Sequence, residues 1–173
     1  MPLLAYTLSI WLGVFARVSV VVRPDGGRLR QAVESALPEH AGAIDWVICL
    51  APTPGMGASL AAGVAARAGE SGWLVGLADM PLVPLTAIEQ TRRAIADGAS
   101  LAAPFCSGRR GHPVGFAADY KDELLALDGD QGARALIERD AQHLRRIETP
   151  DAGVLMDVDT PPDLLTLDLL RKN

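Results

Sequence analysis

Short apolar runs alternate with helical stripes along almost the whole chain, and this alternation constrains the fold more than any other feature. "RVSVVVR" (17–23) is β-branched and reads as a buried strand. "RLRQAVESAL" then places Leu29, Ala32, Val33, Ala36 and Leu37 on one helical stripe, ended by Pro38. "IDWVICLA" (44–51) is strand-like, residues 59–69 are helical, and "GWLVGLA" (72–78) is strand-like again. A helix over 85–98 follows, with Gly98 as its stop. Strands over 100–106 and 112–118 come next, parted by the turn "SGRRG". Short helices are expected over 119–127 and 132–140, a last strand over 153–159, and a closing helix after it. A first helix over 2–12 carries Leu4, Leu8 and Trp11 on one face. Strands alternating with helices imply one α/β domain over 1–173, built on a mostly parallel sheet.

Bulk properties exclude several classes. Hydrophobic residues make up 49% of the chain and charged residues 21%, which supports a packed core and argues against disorder. The net charge is −5 and no basic face stands out, so no nucleic-acid partner is expected. Residues 1–16 carry no charged side chain, but they lack a basic leader and Arg17 stops the run short of a membrane span. Cys49 and Cys106 each lie in an apolar run and act as small hydrophobes. A cytoplasmic protein without a membrane partner is the expectation.

The chemistry starts at "GWLVGLADMP" (72–81), where an apolar strand runs straight into Asp79. Ligands in open parallel sheets sit at the carboxyl ends of strands. A carboxylate there suits a hard cation such as Mg²⁺, although Asp also serves plain turns. "MDVDTPPDL" (156–164) tips the balance towards a metal. Thr160, Pro161 and Asp163 are explained as a helix start. Asp157 and Asp159 are not, and alternation puts both on one face of the expected strand. Asp79, Asp157 and Asp159 are therefore the candidate metal ligands, with Asp79 and Asp159 the candidate catalytic pair.

Three loops add ligand-binding candidates. In "TPGMGASL" (53–60), Gly55, Met56 and Gly57 lead into a helix, and glycines let main-chain N–H groups approach a ligand. Ser59 either caps that helix or turns its hydroxyl to a base or ribose. In "SGRRGHPVGF" (107–116), Gly111, His112 and Pro113 follow a basic turn whose Arg109 and Arg110 either meet phosphate or are solvated. In "GDQGAR" (129–134), Asp130 reads as a helix N-cap, and Arg134 serves either structure or an anionic ligand.

In this order and spacing, "GMGASL", "LADMP", "GHPVGF", "GDQGAR" and "MDVDTPPDL" resemble the molybdenum cofactor cytidylyltransferases, within the wider group of Rossmann-like nucleotidyltransferases. The resemblance covers essentially the whole chain. It implies a three-layer fold and transfer of CMP from CTP to the phosphate of molybdopterin cofactor, with release of pyrophosphate. It implies Mg²⁺ on Asp79 and the "DVD" acids, cytidine against Gly55, Met56, Gly57 and Ser59, and the pterin substrate near Gly111, His112, Pro113, Asp130 and Arg134. A molybdoenzyme or its chaperone is the implied protein partner. A nucleotidyltransferase for another phosphorylated acceptor is the neighbouring alternative.

The resemblance departs at the front. The family opens on a strand and a Gly-rich triphosphate loop with Arg and Lys, whereas this sequence opens on "MPLLAYTLSIW", similar to the family's first helix. The expectation is a chain that lacks its first strand, between the strands at 18–23 and 72–78, and transfers negligible cytidylyl as it stands. A start placed too late explains this better than a non-catalytic relative that only binds nucleotide or a partner protein. The two flanking strands are then expected to pair directly, to receive another segment, or to leave the fold poorly stable.

Overall fold

The computed structural model describes residues 1–158. Seven strands and six α-helices follow one another as α1 (Leu3–Trp11), β1 (Val18–Val22), α2 (Gly27–Ala36), β2 (Ile44–Ile48), α3 (Met56–Ala66), β3 (Gly72–Val75), α4 (Leu85–Ala96), β4 (Leu101–Cys106), β5 (Arg109–Arg110), β6 (Val114–Ala117), α5 (Lys121–Leu125), α6 (Arg134–Arg139) and β7 (Leu144–Glu148) among the described residues. Each expected strand from 17 to 118 is present, shortened by one to three residues at its ends.

The strands form two sheets. β1 and β2 pair in parallel, from Val18 opposite Ile44 to Val22 opposite Ile48. The second sheet runs β3–β6–β4–β5, with β7 on β4. Here the expectation of a mostly parallel sheet is corrected to a mixed one: β4–β7 is parallel, while β3–β6, β4–β6 and β4–β5 are antiparallel. The cause is local. β4 returns through a two-residue turn at Ser107–Gly108, and strands joined that tightly run antiparallel. Both turn residues have positive φ, 51° and 76°, the geometry such a hairpin needs.

Alternation along β4 sorts the layers. Leu101, Ala103 and Phe105 face a core with Val64 of α3, Leu124 of α5 and Ile137 of α6. Ala102 packs with Ala94 of α4, and Cys106 with Ile88 of α4 and Trp11 of α1. Helices thus cover both faces of the sheet, giving the three layers that the resemblance implies. A second core joins α1 and α2 to the small sheet through Leu4, Leu8, Val33, Val20 and Ile44. Cys49 and Cys106 are buried and unbridged. Among the described residues no helix is long and apolar enough to cross a membrane.

β1 pairs only with β2, and β3 only with β6, so each keeps one edge without a strand partner among the described residues. The strands at 18–22 and 72–75 have not closed up on one another. Side chains bridge the two sheets instead. The Arg67 side chain donates to Ser19 Oγ at 3.0 Å and pairs with Asp45, while Trp73 Nε1 donates to the Arg67 carbonyl at 3.1 Å.

Two expectations near the end change. The last strand expected over 153–159 is a 3₁₀ turn at Ala152–Leu155, held by Asp151 Oδ1 accepting from Gly153 N at 2.8 Å, followed by irregular chain. The strand beside β4 is β7 instead, "LRRIE", whose charged pattern hides its role. The closing helix and Asp159 lie outside the described residues.

Candidate active site

Asp79 follows the carboxyl end of β3, as the sequence implies. Its Oδ1 is buried and has no hydrogen-bond partner. A buried carboxylate oxygen without a donor is costly and wants a proton donor or a cation. Its backbone is held firmly. Thr7 of α1 donates to the Ala78 carbonyl at 2.8 Å, and the Val158 N–H donates to the Asp79 carbonyl at 2.8 Å. Trp11 lies on the bare backbone of Gly76, where an added Cβ would stand 2.2 Å from its ring.

The Val158 bond brings the chain carrying Asp157 alongside Asp79 although their strand-like geometry is absent. Asp157 is exposed. Among the described residues no group of three His, Cys, Asp or Glu forms a ready metal cage. Asp79 still suits a divalent cation of the kind that keeps its other ligands from water and substrate phosphate.

His112 stands at the same end of the sheet. It precedes β6, which runs antiparallel to β3 with Val114 opposite Val75. Its N–H donates to the Val154 carbonyl at 2.9 Å, and the same carbonyl would stand 2.3 Å from a Cβ on Gly111. Gly111 is therefore required by close backbone approach. The His112–Pro113 peptide is cis and Pro113 is buried. His112 Nδ1 is buried without a partner. Burial foremost, and then the charge of Arg110, hold the imidazole below the ordinary histidine range, with the Val75 backbone pulling the other way. The Nδ1 of this ring is thus a buried polar atom whose hydrogen bond is unmade among the described residues. Segment 154–158 thus links His112 to Asp79.

The two glycine loops form one unit. Gly57 N–H donates to the Gly129 carbonyl at 2.8 Å, and Ala58 N–H to the same oxygen at 3.3 Å. A Cβ on Gly55 would stand 2.3 Å from Gly129 O, and one on Gly57 2.4 Å from Gln131 O. These glycines admit the 128–131 loop, and the Gly57 and Ala58 N–H groups face protein. What remains open is the exposed Met56 and half-buried Ser59. Ser59 is not the cap of α3, whose N-cap is Gly55. Asp130 is not the cap of α6 either. Ala133 holds that position, and Asp130 accepts from Gly132 N at 3.0 Å through its backbone. Arg134 is exposed and donates to Glu138 at 2.6 Å.

A profile described as the MobA-like NTP transferase domain matches residues 1–147. The chain belongs to this family. Solved structures share its fold. The MobA-like chain superposes on Rv0371c from Mycobacterium tuberculosis H37Rv with a TM-score of 0.75 at 22% identity, covering 96% of this chain and 84% of that one. A complex of Rv0371c with manganese gives a TM-score of 0.68 at 19% identity, covering 96% and 86%. The 4-diphosphocytidyl-2C-methyl-D-erythritol synthase of Anaerococcus prevotii DSM 20548 gives 0.77 at 13% identity, covering 100% and 87%. No curated protein matches the chain significantly. Membership makes this MobA-like chain a relative of nucleotidyltransferases.

The sequence sets Asp79 after a strand and Gly111 and His112 before one, and the structure has the same order. Sequence reasoning missed the backbone clasp from Val158, which no side-chain pattern announces.

Proposed function

We propose that this chain is a cytidylyltransferase-type protein that directs CMP from CTP onto the phosphate of molybdopterin cofactor. In that reaction an acceptor phosphate oxygen attacks the α-phosphorus of CTP. The bond to the bridging oxygen breaks, and pyrophosphate leaves with its electron pair. The observation that carries the reading is the orphaned, buried Oδ1 of Asp79 at the carboxyl end of β3. Asp79, with Asp157 and Asp159, would hold Mg²⁺. When bound, such an ion neutralises phosphate charge and orients the triphosphate.

The protein's own part is positioning. Thr7 and Val158 fix the Asp79 backbone from both sides. Met56 and Ser59 are the groups of the glycine loop left to meet the cytidine. Neutral His112 offers Nδ1 on the acceptor side. Reactions of this type gain most from fixed geometry and charge neutralisation. A molybdoenzyme or its chaperone in the cytoplasm would receive the product.

Calorimetry in Mg²⁺ tests the reading. CTP should bind more tightly than GTP, since a base edge read by hydrogen bonds rejects the wrong base. Asp79→Asn should weaken Mg²⁺-dependent CTP binding roughly tenfold or more, about 1.4 kcal/mol. Equal affinities for the two nucleotides, or an indifferent Asp79→Asn, would refute the assignment. Pyrophosphate release in the same mixture, with molybdopterin cofactor added, separates a transferase from a relative that only binds.

A further inference from the structure

One short segment reaches both loops of the candidate site. The loop after β3, residues 79–83, starts at Asp79 and buries Met80 and Val83 in the core cluster of Trp11 and Ile88. The fully buried side chain of Val154 packs in that same cluster. The Val154 carbonyl accepts the His112 N–H at 2.9 Å, and further along the Val158 N–H donates to the Asp79 carbonyl at 2.8 Å. No hydrogen bond among the described residues joins residues 79–83 directly to residues 111–112.

Two close approaches seat this segment. A Cβ on Gly153 would stand 2.0 Å from the Leu82 carbonyl oxygen, and one on Gly111 2.3 Å from the Val154 oxygen. Only glycine lets backbones come that near. Asp151 shapes the entry, because its Oδ1 accepts the Gly153 N–H at 2.8 Å where the 3₁₀ turn begins. Asp151 itself is exposed, and its own N–H donates to Thr149 Oγ1 at 3.2 Å. It acts on the site only through the chain that follows it.

We propose that residues 151–158 are a positioning strap, with Asp151 and Gly153 as its positioning residues. The strap sets where Asp79 presents its carboxylate to a divalent cation and ties that placement to His112. Hard cations tolerate little departure from their coordination geometry, so a ligand atom serves only when its backbone is held. The cation's part in this rests on the nucleotidyltransferase reading. The tie between the two loops does not.

Amide hydrogen exchange and Mn²⁺ binding on the full chain test the strap, in Asp151→Ala and Asp151→Asn. Both variants lose the charge, and only Asn keeps an acceptor for the Gly153 N–H. Loss of a capping side chain shifts a local equilibrium roughly fivefold. Asp151→Ala should therefore speed exchange of the His112 and Val158 amides together, about fivefold, and leave β4 amides within about twofold of the parent. Asp151→Asn should return both amides to within about twofold of the parent. Mn²⁺ affinity, read by water-proton relaxation, should be at least about threefold weaker in Asp151→Ala than in Asp151→Asn. Faster exchange at only one of the two amides, or at neither, overturns the strap, as does an equal speeding of β4. Equal Mn²⁺ affinities in the two variants overturn its role in placing Asp79. Paired loosening of His112 and Val158 in a chain whose parent binds no Mn²⁺ would sink the metal reading and leave the tie between the two loops standing.

Discussion

A single half-buried imidazole links site geometry to the stability of the chain. Its folded proton affinity is depressed, by burial first and by Arg110 second. The unfolded chain takes up that proton near pH 6.5, and the folded chain only at lower pH. Between those values the unfolded state binds more protons, so stability falls as pH falls. The contribution of His112 is complete above about pH 6.5 and is lost as pH drops through the folded value. Urea midpoints measured from neutral to mildly acid pH should therefore decline less steeply in His112→Gln than in the parent chain. Equal slopes would show that His112 is not the source. Residues of this kind were only half legible. The order of motifs singled out His112 and Asp79, yet a vacant Nδ1 and an orphaned Oδ1 depend on neighbours 40 to 80 residues away in the chain, such as Val154 and Val158.

Elements were legible where their burial is simple. β4 is buried along its whole length and reads as an apolar run. β7 escaped notice because Arg145, Arg146 and Glu148 are exposed, and only Leu144 and Ile147 turn partly inward. The 153–158 stretch misled in the opposite sense. It is apolar enough for a strand, but Gly153 and Asp151 turn it into a 3₁₀ segment against Leu82, whose carbonyl would stand 2.0 Å from a Cβ at Gly153. Between elements, Arg67 has the widest reach. From the end of α3 it touches β1 and β2 through its side chain and β3 through its carbonyl. Arg67→Met keeps the aliphatic stem and removes the charged bonds to Ser19 and Asp45. Since the pair is about one-third exposed, solvent screening leaves roughly 1–2 kcal/mol of destabilisation. Chemical denaturation should show that loss with an unchanged m-value. A loss within 0.3 kcal/mol, the size of measurement error at about this scale, would mean the bridge contributes only geometry.

At the scale of the whole molecule, the sheet is joined unevenly. β4 and β6 have strand partners on both edges, whereas β1 and β3 have one each among the described residues. The expectation that the strands at 18–23 and 72–78 flank an absent one came from family resemblance, and no periodicity reveals whether two strands meet. Pairing is a tertiary outcome, set here by α1 and α3. Trp11 packs in one cluster with Val18, Leu74 and Leu77, and Gly63 of α3 lies close enough to Val21 that an added Cβ would stand 3.1 Å from its Cγ2. Among the described residues, side chains hold the two sheets in place without a ladder between them. Backbone amides protected by a ladder on one edge only open at lower free energy than those buried between two. Hydrogen exchange should therefore rank the strands, with β4 and β6 amides slowest and β1 amides faster by at least about tenfold, a difference of 1.4 kcal/mol. The same experiment has a sharper arm. An extended peptide that pairs with a free edge by main-chain hydrogen bonds, as in strand addition, should slow β1 and β3 together and leave β4 unchanged. If β1 exchanges as slowly as β4 in the chain alone, the two sheets behave as one cooperative unit, and the side-chain bridge through Arg67 and Trp11 does the work of the absent ladder.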